Sequence, residues 1–502
     1  MESRTDLERR RLERQREKEK ALIYLNENRG QAECEKVLNE ACRVKPDDFY
    51  GFLARSFAKL AQEPVVTAVE SVACVDGKTS KVEVHCVLHG IQQVIGSSVC
   101  PPPPPPEPIA EKSTSSFGKR NKSRPSSEVA VDRPPTPAVT PEAVAEVIAK
   151  AAKVLMGKPL TNLEDLDKQV EDSGAEIGNK RATMAVSLAL AQSISQLRKE
   201  PLATIVSKNK ERDPICPIVM SKVLSGGRHA NGKLKVRQFY VMPSKEVDCQ
   251  KGLQYILRFH ASLGNVLSLK SGPSSRATLP DGSYAPSLDR IEQALDLMQD
   301  ALTAADLEWD THLILGVNID AQTCFNTEKN KYELTVGQLK SSDDLINFYA
   351  DLIAQKPHIQ LLEDPLAKSD VAGWTKLRER LNEKCTLLCS YEMTVPSLPS
   401  QGEEGETETE PQEDIQPVVR SYNWNEFQTV SHLSRTFSTS ATDEKIALGF
   451  SDLEDIDCLV DLAIGLGSAY VKLPGPANGF FATQYNRVTE ILVSAISDES
   501  DN

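Results

Sequence analysis

Leu313-Ile314-Leu315-Gly316-Val317-Asn318-Ile319-Asp320 and His358-Ile359-Gln360-Leu361-Leu362-Glu363-Asp364-Pro365 are two short apolar runs that each end in polar residues. Between them, Ser341 to Gln355 carries Leu345, Ile346, Phe348, Tyr349, Leu352 and Ile353 at a helical period. The order is strand, helix, strand. A continuous apolar run suits a strand buried on both faces of a parallel sheet. A carboxylate at the C-terminal end of such a strand, as at Glu363, suits the catalytic rim of a β/α barrel. The expected class is therefore α/β.

Composition sets the limits around this unit. The 502 residues leave room for two or three domains with large cores. Against 58 Lys+Arg stand 72 Asp+Glu, and a net charge of −14 argues against a general nucleic-acid or anionic-membrane binder. The sequence has no run of about 18 apolar residues, so no transmembrane helix is expected. The charged stretch from Met1 to Lys20 lacks the apolar core of a secretory signal. Eleven cysteines lie scattered without paired CxxC motifs, which reads as reduced core thiols of a cytoplasmic protein.

Outward from the central unit, residues 1–20 form a charged arm, read as either a frayed helix or disorder. Residues 21–62 fit two helices joined by a turn at Lys45-Pro46. Thr67 to Val99 alternates apolar and polar residues as strands do, with Asp76-Gly77 as a hairpin turn. Ser97 and Ser98 read as solvated loop residues. Pro101 to Pro106 opens a Pro/Ser-rich insertion, 101–141, expected to be disordered or polyproline. Pro141 to Lys199 has helical spacing, and Ile215 to Met220 reads as an apolar strand. Residues 400–414 are an acidic insertion, expected to be a solvated loop.

Leu361-Leu362-Glu363-Asp364-Pro365-Leu366 resembles the metal-ligand strand of the enolases. Leu315-Gly316-Val317-Asn318, Lys331-Tyr332-Glu333-Leu334, the loop Gly226-Gly227-Arg228-His229 and the stretch from Asp461 to Lys472 resemble other segments of that family in order. The resemblance covers roughly residues 67–496 apart from the two insertions, and is greatest to the family's divergent, sperm-associated branch. It implies an enolase-type (β/α)8 barrel at 214–496 with an N-terminal α+β capping domain at 67–213 and a tail at 497–502. The helices at 21–62 resemble dimerisation and docking modules of the protein-kinase regulatory-subunit type, which take an amphipathic partner helix. A plain helical cap is the other reading.

By resemblance the reaction is magnesium-dependent dehydration of 2-phosphoglycerate to phosphoenolpyruvate, with a lysine base, a carboxylic acid opposite it, and magnesium held by carboxylates at three strand ends. Matched residue by residue, Glu363 keeps its metal-ligand carboxylate, whereas Asn318 and Tyr391 stand at the other two ligand positions. Asp320 and Glu392 are the carboxylates near enough in sequence to compensate. Arg420 stands at the base position, where a guanidinium is a poor proton acceptor. Lys472 matches the second active-site lysine, Gln238 replaces a glutamate, His229 is retained, and Ser451 alone remains of the phosphate-binding motif. The general acid's loop is shortened to Pro280-Asp281-Gly282-Ser283. Arg228, Arg237, His229, Arg420 and Lys472 either form a cationic pocket or are neutralised by Glu363, Asp364 and Glu392.

The site residues therefore imply weak or lost catalysis, and the alternative is a structural scaffold built on the enolase fold and the docking helices. The resemblance further implies a homodimer and placement in the sperm flagellum.

Overall fold

The computed structural model describes residues 4–60, 63–74, 79–88, 90–100, 141–174, 180–207, 216–227, 230, 232–381, 384–390, 419–423, 427–439, 445–449 and 458–500. The acidic insertion, the Asp76-Gly77 turn and all but the last residue of the Pro/Ser-rich insertion lie outside them. Two compact units result, Met1–Pro64 with Val87–Ile91, and Val65–Cys86 with Gln92–Asn502.

The first unit holds α1 (Arg4–Glu27), α2 (Gly30–Val44) and α3 (Phe49–Ala58). From Arg4 the charged arm is helical and runs past Lys20 without a break. Helix α1 ends where Arg29 turns left-handed at φ 53°, and α2 ends at Lys45, φ 51°, whose N–H reaches the Ala41 carbonyl at 2.8 Å. Pro46 cannot donate to a continuing helix, and α3 restarts where Asp48 accepts the Gly51 N–H at 2.9 Å.

Strands β1 (Val66–Ala73), β2 (Ser80–Leu88) and β3 (Ile91–Cys100) form a sheet with β2 in the middle. Ser80, Val82, Val84 and Cys86 are buried at alternate positions of β2, the period of a strand with one covered face. Ser97 and Ser98 are not loop residues. They belong to β3, and Ser98 is buried. The cause is Gly96: a Cβ there would lie 2.3 Å from both the Ala189 carbonyl oxygen and Ser193 Oγ, so the β3 backbone at this point lies directly against the helix beneath it.

Four helices complete this part: α4 (Pro141–Leu155), α5 (Leu163–Asp172), α6 (Lys180–Arg198) and α7 (Leu202–Val206). Every residue of α6 from Ala182 to Ala191 is buried, the mark of a helix surrounded by other elements.

The barrel elements are β4 (Ile218–Ser225), β5 (Gln238–Pro243), α8 (Cys249–Ser271), α9 (Ile291–Ala304) and β6 (Leu313–Asn318). Next come α10 (Ala321–Cys324), a small sheet of β7 (Phe325–Asn326), β8 (Lys331–Thr335) and β9 (Gln338–Lys340), then α11 (Ser342–Gln355) and β10 (Ile359–Glu363). The chain continues through α12 (Val371–Leu381), β11 (Thr386–Cys389), β12 (Val419–Asn423), α13 (Val430–Thr439), β13 (Lys445–Gly449), α14 (Leu459–Gly465), β14 (Tyr470–Leu473) and α15 (Gly479–Ser500). Strands β4, β5, β6, β10, β11, β12, β13 and β14 close on themselves in that order. Strand β5 runs antiparallel to both neighbours, and the other printed barrel pairings are parallel.

Met220, Tyr240, Met242, Ile314, Leu361, Leu388, Val419, Ala447 and Tyr470 fill the barrel as one buried apolar cluster. This cluster is the floor of the site. Helix α13 docks on the capping helix α5: Ser431 N–H donates to Asp167 Oδ2 at 2.9 Å, and Arg435 Nη2 lies 2.7 Å from both oxygens of Glu171.

The cysteines are not uniformly reduced as expected. Cys216 and Cys249 are joined in a disulfide.

Candidate active site

Strand periodicity places polar residues directly above the apolar floor. Glu363 follows Leu361 by two residues, Lys472 follows Tyr470, Lys222 follows Met220, and Gln238 precedes Tyr240 on the reversed strand, so all four share the interior face. Register sets them side by side: Glu363 pairs with Asn318, Asn318 with Gln238, and Lys472 with Met220. All of them are nearly inaccessible to solvent.

The Lys472 ammonium donates to Glu363 Oε1, with the side chains 9% and 1% exposed. Gly449 on the adjacent strand makes this possible, since a Cβ there would come within 3.1 Å of Lys472 Cδ. The second oxygen, Glu363 Oε2, is buried without a hydrogen bond, and so is Asn318 Oδ1. Buried oxygens left in this way are costly, and one pair of oxygens on neighbouring strands is a site-like arrangement.

From Asn318 a chain of hydrogen bonds crosses the mouth. Its Nδ2 points to Tyr240 Oη at 3.5 Å, Tyr240 donates to Gln238 Oε1 at 3.0 Å, and Gln238 Nε2 reaches Asp281 Oδ2 at 3.4 Å. Ser283 donates to Asp281 Oδ1 through Oγ at 2.6 Å, and Lys222 Nζ stands 4.0 Å from Asp281 Oδ2. The loop carrying Asp281 is clamped to the segment after β14: Gly475 N–H donates to the Asp281 carbonyl at 2.8 Å, and Gly282, at φ 76°, lies so near Gly475 that a Cβ would sit 2.1 Å from its oxygen. His260 supports the loop from behind, donating to the Gly282 carbonyl at 2.9 Å, and burial lowers its pKa, which favours the neutral ring.

Lys222 and Asp281 carry charge into the mouth that the sequence reading did not assign. For Lys222 the signal was its place two residues after an interior methionine. For Asp281 it was retention of a carboxylate in a shortened loop.

Other expected residues lie elsewhere. Asp320, left-handed at φ 52°, turns to Arg237, with Oδ2 to Nη1 at 3.5 Å. Asp364, left-handed at φ 49°, turns to Ser390, accepting its N–H at 2.7 Å and its hydroxyl. Burial, and then the Glu363 charge, push the Asp364 carboxyl upward. Arg420 is half-buried and alternates with Val419, which faces the interior, so it lies on the strand's other face, beside Cys389 and Ile446 in register. His229, Arg228, Tyr391, Glu392 and Ser451 fall outside the described residues.

The family described as "Enolase, C-terminal TIM barrel domain" matches residues 213–397. Enolase 4 of Xenopus laevis is 28% identical over 545 aligned residues, covering 97% of this chain and 93% of that protein. These matches support an enolase-family, enolase 4-like protein. Enolase 4 of Homo sapiens is 24% identical, over 95% of this chain and 88% of its own length, and an enolase of Metallosphaera sedula is 26% identical, over 67% and 79%.

This enolase-family mouth differs from the magnesium site that the family implies. Magnesium takes hard oxygen ligands, typically carboxylates, in octahedral geometry. Among the described residues no group of three or more His, Cys, Asp or Glu is placed to hold a metal. Glu363 is already paired with Lys472, Asn318 is neutral, and Asp320 and Asp364 point to Arg237 and Ser390. These residues do not fit a two-magnesium centre. Chemically, the mouth presents two ion pairs and a hydrogen-bonded amide chain.

Proposed function

We propose that turnover of 2-phosphoglycerate is weak or lost in this chain and that the enolase fold serves as a binding scaffold. The observation that carries this is the Lys472–Glu363 pair: the lysine matched to substrate binding donates to the carboxylate that stands at a matched ligand position. Each is withdrawn from the work the family reaction needs. Arg420 on the outer strand face supports the same reading, because abstraction of the α-proton needs a base aimed into the mouth. Groups that act as a unit fail together when one is removed.

The scaffold role draws support from the N-terminal helices. Leu22, Ile23, Tyr24 and Tyr50 are exposed there, Tyr50 at 81%. An amphipathic partner helix at 21–62, a homodimer and a place in the sperm flagellum belong to this reading. No helix among the described residues is long and apolar enough to cross a membrane.

The test is formation of phosphoenolpyruvate from 2-phosphoglycerate by the purified full chain with magnesium, followed by absorbance. The rate should match that of Glu363→Gln and Lys472→Ala. Turnover that both substitutions abolish would restore the enzyme reading.

A further inference from the structure

The mouth contains two lysines at neighbouring strands, and each faces a carboxylate. Lys472 on β14 holds Glu363, and Lys222 on β4 stands 4.0 Å from Asp281. Both side chains of each pair are under a tenth exposed. Removing carboxylates from water is costly unless a cation compensates them, and in a metal-loaded mouth the metal does that. Here the compensating charges are covalently part of the chain.

We infer that this barrel has internalised its counter-cation: the Lys472 ammonium takes the place of a divalent ion on Glu363. Three observations support the exchange. Gly449 leaves out the side chain that would press on the lysine stem. Asn318, beside Glu363, brings a neutral amide where a second anion would overcompensate one ammonium. The acidic residues following the two strands are spent elsewhere, Asp320 on Arg237 and Asp364 on Ser390. Among the described residues each of the two lysine–carboxylate pairs matches one cationic with one anionic side chain, so the formal charge of the four sums to zero, which leaves little attraction for a divalent ion. The remaining acceptors, Glu363 Oε2 and Asn318 Oδ1, call for a neutral hydrogen-bond donor such as water.

The inference rests on the family reading of this mouth but not on loss of turnover. Phosphoenolpyruvate formation by a magnesium-indifferent chain would overturn the proposed function and leave the internal cation standing.

Thermal unfolding of the full chain in excess magnesium and in EDTA tests it, because an ion that binds the folded state raises the midpoint. The wild-type midpoint should be the same in both, and added manganese should give only the spin-resonance spectrum of the free aqueous ion. Lys472→Met alone should lower the midpoint, and Lys472→Met with Glu363→Leu should recover most of that loss in either medium. A magnesium-dependent rise that Glu363→Gln removes would overturn the inference, as would a double variant that falls by the sum of its two singles. A rise that survives Glu363→Gln puts the ion elsewhere and agrees with a metal-free mouth. If the single variants fail to fold, the wild-type midpoints and the manganese spectrum decide.

Discussion

Glu363 and Lys472 are worth more as a pair than either is alone. Breaking a buried ion pair by removing one partner leaves an uncompensated charge, so Lys472→Ala should cost on the order of 3–5 kcal/mol by chemical denaturation. Gly449 is the third member of this arrangement. Gly449→Val should cost about 1–3 kcal/mol by crowding the lysine stem, and much less in a Lys472→Ala background, where the stem is gone. Additive losses in that cycle would show that Gly449 matters for some other reason. At this scale the sequence was uneven. Glu363 and Lys472 were legible because they end recognisable strands. Lys222 was not, because the apolar strand seemed to stop at Met220, and the structure carries it to Ser225. The face of Arg420 was equally hidden: strand parity depends on which residue starts inward, and here Val419 does.

Among the elements, α5 carries an unusual group into the junction with α13. Asp167 is fully buried, and burial pushes its carboxyl up to about 6 although the Ser431 N–H donates to it. Since the folded value lies above the ordinary 3.8, the native state binds more protons between about pH 4 and 6, and stability from this group falls as pH rises through that window. The full penalty, on the order of 3 kcal/mol for a shift of roughly two units, is present above about pH 6. Asp167→Asn keeps an acceptor and stays neutral, so its stability relative to wild type should improve between about pH 5 and pH 8. A gap independent of pH would contradict this. At β3, Gly96→Ala should cost about 1–3 kcal/mol because the new methyl meets the Ala189 carbonyl. Strand β3 also shows why Ser97 and Ser98 were misread: their polar side chains suggested a loop, whereas packing on α6 decided for strand.

For the whole molecule, the apolar runs at Leu313–Asn318 and Ile359–Glu363 revealed the barrel because strands buried on both faces cannot alternate. The reversed direction of β5 was not legible, since side-chain period is the same in either direction. The self-paired mouth was also out of reach, because it depends on residues separated by 109 positions. The central claim is that this mouth no longer abstracts a proton. The most direct measurement is exchange of the α-proton of 2-phosphoglycerate in deuterated water with the full chain and magnesium, read by proton resonance. The account predicts that the α-proton signal persists as it does without protein. Loss of the signal at a rate that Glu363→Gln and Lys472→Ala abolish would contradict it.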